Sequence, residues 1–179
     1  MSDWITGNYW LSLEEMQNNA VLFWNFFKAQ GWTLNAAAAM LGNIQTESHI
    51  NPGIWENLDP FVGGYGLVQW TPYTKYSNWA GADWENNGPK QCERLVWELE
   101  NGVQWYPTER YPMTFEEFSR SINPVQMLAQ AFLYNYERPA DLNQPWRSTQ
   151  ALYWYEFLGG VPSIPPWLLF KFSKRRFYR

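Results

Sequence analysis

Apolar residues recur at steps of three and four over most of this chain, and the pattern predicts a largely helical body. Ser12-x-x-Glu15 is a capping box, and Leu13, Met16, Ala20, Trp24 and Phe27 follow it at helical spacing until Gly31. A second helix is expected from Thr33 or Asn35 towards Thr46, with Leu34, Ala37, Leu41 and Ile44 on one buried face. The pattern then breaks. Asn51-Pro52-Gly53 is a turn signal, and Gly63-Gly64-Tyr65-Gly66 is too rich in glycine for a helix. Leu67-Val68-Gln69-Trp70 reads as a short strand, one arm of a small hairpin, and Thr71-Pro72 as a helix start. Further helices are expected from Pro89 to about Asn101, Phe115 to Ile122, Pro124 to about Tyr136, and Pro145 to Leu158. Thr114-x-x-Glu117 is another capping box, Asn123-Pro124 a cap followed by proline, and Gly159-Gly160 a C-terminal stop.

These elements place one domain in residues 1–160. Val161 to Pro166 then form a stiff linker to a basic, aromatic tail, so that 161–179 stand apart. The charge divides in the same way. The chain has 13 basic and 17 acidic residues, but Lys171, Lys174, Arg175, Arg176 and Arg179 all lie in the tail. The 8 basic and 17 acidic residues before it make an acidic body, which argues against binding to duplex nucleic acid. The tail itself suits an anionic surface or a neighbouring protein, or is a disordered end. Thirteen Trp, eleven Tyr and eleven Phe exceed what a core of this size needs, so exposed rings able to stack on sugars, bases or partner proteins are expected. The single cysteine, Cys92, rules out an intrachain disulfide and a cysteine metal cage, and neither a metal nor a cofactor is expected. The first residues lack the basic-then-apolar pattern of a secretory signal, and no apolar run is long enough to span a bilayer.

Glu47 is the residue on which chemistry turns. It follows Ile44 by three positions and Met40 by seven, at the edge of an apolar face and the end of a helix. Partial burial and the negative end of the helix dipole both disfavour its charged form. A glutamate that keeps its proton is what protonation of a glycosidic oxygen requires. By spacing alone a solvent-facing helix glutamate is the commoner outcome.

The residues after Glu47 shift that balance. Glu47-Ser48 at a helix end, Gly66-Leu67-Val68-Gln69 in a hairpin and Tyr134-Asn135 on a later helix resemble the lysozyme-like superfamily. More closely, the stretches Met40 to Ser48, Asn51-Pro52-Gly53, Gly66 to Pro72 and Tyr136-Glu137-Arg138-Pro139 resemble the phage tail lysozyme family, over roughly residues 8 to 160. The resemblance implies a mainly α, lysozyme-like α+β fold, with a helical body and a small β-hairpin flanking a substrate cleft. It also implies bacterial peptidoglycan as substrate, and a muramidase that cuts the N-acetylmuramic acid to N-acetylglucosamine bond. Glu47 takes the general-acid position, and Gln69 lines the cleft with Tyr65. Tyr134, Asn135 and Glu137 are the further substrate-binding candidates. Strand alternation puts Tyr65, Leu67 and Gln69 on one face, leaving Trp70 a lesser candidate.

The second catalytic group is open among Glu56, Asp59, Glu137 and Asp141. Asp59 ranks first, because it lies in the loop leading to the hairpin; an ion pair with Arg138 or a helix-end contact is the simpler reading of Glu137. With no second carboxylate, a lytic transglycosylase is the alternative, in which the substrate's own hydroxyl closes on the anomeric carbon. A catalytically inactive lysozyme fold kept as a virion part or glycan binder is the other rival. His49, the only histidine, reads as a loop residue, and Cys92 with His49 is a remote thiol-peptidase pair. The expected location is a phage virion tail or the host cell envelope.

Overall fold

Four consecutive alanines, Ala36 to Ala39, and Gly42 let helices approach α2 (Leu34–Ser48) from every side. All residues from Ala36 to Ile44 are buried, so α2 is the central helix and not an amphipathic one with a single buried face. The computed structural model describes residues 3–159; the expected linker and basic tail, 161–179, lie outside the described residues. Around α2 pack α1 (Leu13–Ala29), α5 (Phe115–Arg120), α6 (Val125–Phe132) and α7 (Trp146–Phe157). To one side lie α3 (Thr74–Ala80) and α4 (Gly88–Glu100). No helix among the described residues is long and apolar enough to cross a membrane.

The two capping boxes act as read, but the cap-and-proline pairs do not: α3 follows Tyr73 and α6 follows Pro124, both without a side-chain cap bond. Ser12 and Glu15 form a reciprocal capping box on α1, and Thr114 and Glu117 form one on α5. The helix expected from Pro124 to about Tyr136 is present, but its last turn widens: α6 passes into a π-helical turn, Leu133–Glu137, ended by Arg138 in the left-handed region. That wider turn changes which side chains face inward, a point that matters at the site.

The β-hairpin is the part the backbone does not form. In its place are two isolated bridges, Trp55 with Tyr65 and Tyr65 with Trp70, and no strand appears among the described residues. Gly66 (φ 78°) and Gln69 (φ 49°) are both left-handed, and the Gln69 amide donates to the Gly66 carbonyl, so the segment turns and the strand alternation fails. A side chain at Gly66 would meet Gln91 Oε1 at 2.5 Å, because Gln91 enters this turn to accept from the Leu67 amide at 2.8 Å. Ser48 fastens the turn to the end of α2, its Oγ donating to the Leu67 carbonyl at 2.8 Å.

Most of the surplus aromatic rings are core. Trp55, Tyr65, Tyr73, Tyr76 and Trp84 pack around the turn, and Trp105, Phe115, Phe118, Phe132 and Tyr136 pack beside α5 and α6. Trp10, Phe61 and Tyr106 are among the few that stay exposed.

Candidate active site

A cleft of about 650 Å³ opens where the end of α2 meets the 66–70 turn and the π-helical turn. Glu47, Gln69 and Glu137 line it, with Trp10 from the N-terminal arm, Glu56, and Lys75 from α3. Three of the expected site residues are therefore brought together: Glu47, Gln69 and Glu137.

Glu47 does not stand alone at its helix end. Arg147 of α7 donates from Nη2 to Glu47 Oε1 at 2.5 Å. The same guanidinium donates from Nε to Gln144 Oε1 at 2.7 Å and from Nη1 to the backbone and side-chain oxygens of Asn43 at 3.3 Å. The Arg147 side chain is 3% exposed and that of Glu47 21%. α7 comes this close because Gly42 has no side chain: a Cβ there would sit 2.5 Å from the Arg147 carbonyl oxygen and the Ala151 amide nitrogen.

Glu137 is half-buried overall, and its Oε1 is shut from solvent with no hydrogen-bond partner. Burial, reinforced by the charge of Glu47, holds its carboxyl well above the usual carboxylate range, against the pull of Arg147. The simple ion pair expected with Arg138 is not what forms. Arg138 donates from Nη1 to the carbonyls of Gln104 and Asn135 and lies over the Tyr106 ring.

Behind the cleft, Glu98 accepts from Trp70 Nε1 at 2.9 Å, Arg94 Nε at 2.9 Å and the Tyr136 hydroxyl at 2.5 Å. Burial raises the Glu98 carboxyl, while the Tyr136, Arg94 and Trp70 contacts lower it again. Trp70 therefore serves as a wall held from behind.

The other expected residues lie elsewhere. Asp59 sits exposed in the loop after a 3₁₀ turn at Glu56–Leu58 and is not among the cleft-lining residues; Glu56 of the same loop is. Tyr65 is buried, its hydroxyl accepting from the Asn86 amide at 2.7 Å, because the left-handed turn points it into the aromatic cluster. Asn135 is also buried. It accepts from Thr108 N and Oγ1 and donates to the Tyr111 carbonyl, pinning the 103–113 loop. Tyr134 faces a separate depression, where it carries the Arg110 guanidinium on its ring and its hydroxyl. Asp141, exposed, accepts from the Asn143 amide in a local turn.

His49 caps α2 in the left-handed region, with its ring 4.8 Å from that of Trp10. Cys92 is fully buried in α4, and burial pushes its thiol up, which removes the thiolate that a peptidase would need.

Three residues of this neighbourhood escaped sequence reasoning: Arg147, Glu98 and Trp10. The first had a usable signal. Arg147, Ala151 and Trp154 share one helical stripe and are all buried, and a charge on a buried stripe demands a partner. Glu98 similarly shares the buried face of α4 with Gln91 and Leu95. Trp10 offered none.

The chain is 50% identical over 164 residues to morphogenesis protein 1 of Bacillus phage B103, covering 87% of this chain and 43% of that protein. It thus spans less than half the length of that relative. The phage tail lysozyme family matches residues 18–158, from within α1 to the end of α7 and including every residue that lines the cleft except Trp10, and the chain belongs to that family.

Proposed function

We propose that this domain cleaves the glycan strands of bacterial peptidoglycan between N-acetylmuramic acid and N-acetylglucosamine, as a lysozyme-type glycoside hydrolase. The observation that carries the reading is a cleft lined by three carboxyl groups, Glu47, Glu137 and Glu56, in a chain of the phage tail lysozyme family. Glu47 delivers a proton to the glycosidic oxygen as the bond to the anomeric carbon breaks. A water molecule, or the substrate's own hydroxyl in the transglycosylase variant, completes the reaction at that carbon. Gln69 is half-buried, its Nε2 donating to the Ile54 and Gly66 carbonyls, which fixes its amide at the cleft wall for hydrogen bonding to the sugar. Trp10, 51% exposed at the rim, supplies an apolar face on which a pyranose ring can stack.

The relative bears the name of a morphogenesis protein. On that ground we place the domain on a phage particle, with the wall and other virion proteins as its partners. The test is release of soluble muropeptides from purified sacculi by the wild type and by Glu47→Gln. Wild-type release, lost in the variant at unchanged fold, supports the reading; no release by the wild type leaves an inactive virion or glycan-binding fold in its place. Mass spectrometry of the fragments separates a reducing muramic end from an anhydro end.

A further inference from the structure

Two of the cleft glutamates, Glu47 and Glu137, have opposite surroundings. Glu47 carries the Arg147 guanidinium, whose remaining donors go to Gln144 and Asn43. Glu137 carries none. Its Oε1 is buried without a partner, while the π-helical turn holds its backbone against the cleft wall. A carboxylate without partners in a low dielectric takes up a proton.

The charges around Glu137 come from four places. Glu47 of α2 and Glu98 of α4 raise its carboxyl by their charge, while Arg147 of α7 and Arg138, its neighbour in sequence, lower it. Glu56 and Lys75 also line the cleft. The two arginines are the groups that would draw the proton off, yet their hydrogen bonds go elsewhere: Arg147 to Glu47, Gln144 and Asn43, and Arg138 to the Gln104 and Asn135 carbonyls.

We propose that Glu47 and Glu137 work as a carboxyl pair sharing one proton, stored on Glu137 in the resting cleft and delivered to the substrate by Glu47. The proposal rests on the glycosidase reading of the cleft. The proton passes from the Glu137 carboxyl to the Glu47 carboxylate, and Glu47 gives it to the leaving glycosidic oxygen as the C–O bond breaks. The attacking water, or substrate hydroxyl, loses a proton to the Glu47 carboxylate as it bonds to the anomeric carbon, and Glu47 passes that proton back to Glu137. No proton is consumed over the cycle. Glu137 is thus a positioning residue that acts through Glu47.

The test is Glu137→Gln in the full chain, read in two ways. Infrared difference spectroscopy at pH 7, wild type minus variant, is expected to contain the stretch of a protonated carboxyl. A carboxylate signal in its place overturns the proposal, whether or not the protein cuts glycan. The pH profile of kcat on sacculi is the second reading. Without the Glu137 carboxyl, kcat is expected to fall about 10- to 100-fold, and its alkaline limb to move towards acid, because the transferable proton is no longer held on a buried carboxyl. A fall in kcat with an unmoved limb marks a packing role only and overturns it. If the amide variant does not fold, Glu137→Asp provides the same readings, with the protonated band and the position of the limb retained; loss of either overturns the proposal. Absence of glycan cleavage by the wild type defeats the glycosidase reading and leaves the infrared result to place the proton.

Discussion

Arg147 of α7 reaches Glu47 at the end of α2 across 100 positions of sequence, Nη2 donating to Oε1 at 2.5 Å. The contact ties the last helix to the central one at the cleft itself. Its guanidinium spends separate nitrogens on Gln144, Asn43 and Glu47, a planar arrangement that an ammonium cannot reproduce. Arg147→Met is expected to cost about 2–4 kcal/mol, the lower side of the range for a broken buried pair because Glu47 keeps some exposure. Arg147→Lys should recover only part of it. Urea unfolding of the two variants checks both statements, and a loss below about 0.5 kcal/mol for Met would show that the pair is not a structural tie.

Gly42 makes that contact possible. Alanine there would bring Cβ to 2.5 Å from two backbone atoms of α7, and backbone cannot rotate away as a side chain can. Helix propensity favours Gly42→Ala by about 1 kcal/mol, yet overpacking should outweigh it and leave a net loss of about 1–2 kcal/mol. Activity measured well below the melting temperature should fall further than the unfolded fraction explains, since displacing α7 draws Arg147 off Glu47. A variant of normal stability and full activity would show that the helices can separate without disturbing the site.

The helical frame was legible because its signals are local. Ser12 with Glu15, and Thr114 with Glu117, need only their own turn to form. The 66–70 segment was not, because left-handed backbone at Gln69 and the intrusion of Gln91 depend on contacts that no short window contains. The same gap explains the site residues. Glu47 and Gln69 lie in the motif-bearing stretch and reach the cleft directly. Tyr65 left the cleft when the alternation failed, and Asn135 was drawn inward by the 103–113 loop, whose amide and carbonyl groups it satisfies. Arg147 belongs to a helix whose register against α2 is set by Gly42, a relation between distant residues.

Asp59 provides a direct contrast between loop position and cleft geometry. It is exposed and does not line the cleft, whereas Glu56 in the same loop does, with its Oε2 accepting from the Gly64 amide at 2.8 Å. Asp59→Asn is expected to keep wall-clearing activity within about twofold of wild type, since a surface change of this kind is worth under about 0.5 kcal/mol. Glu56→Gln should alter the loop more, through the weakened bond to Gly64. A loss of 100-fold or more in Asp59→Asn, at unchanged fold, would restore Asp59 as the second catalytic group and mean that the loop closes over substrate.

Tyr65 makes the alkaline limit of the fold measurable. Its ring is buried and its hydroxyl accepts from the Asn86 amide; burial pushes the phenol up from 10.0 to about 12, with Glu85 adding to the rise and the Asn86 contact opposing it. Tyr76, Tyr136 and Cys92 are raised in the same direction by burial. For an acid raised on folding, the unfolded chain loses its proton first. Between pH 10 and 12 the native state therefore binds more protons than the unfolded state, and stability falls as pH rises. The Tyr65 share of that loss is up to about 2–3 kcal/mol by pH 12. Phenolate absorbance should show Tyr65, Tyr76 and Tyr136 silent until the chain unfolds, and then ionising together. In Tyr65→Phe the slope of stability against pH in this window should drop by about one proton, while neutral-pH stability falls by about 1–2 kcal/mol as the Asn86 amide loses its acceptor. Gradual ionisation of all the tyrosines near pH 10, with no unfolding step, would show that these rings are open to solvent.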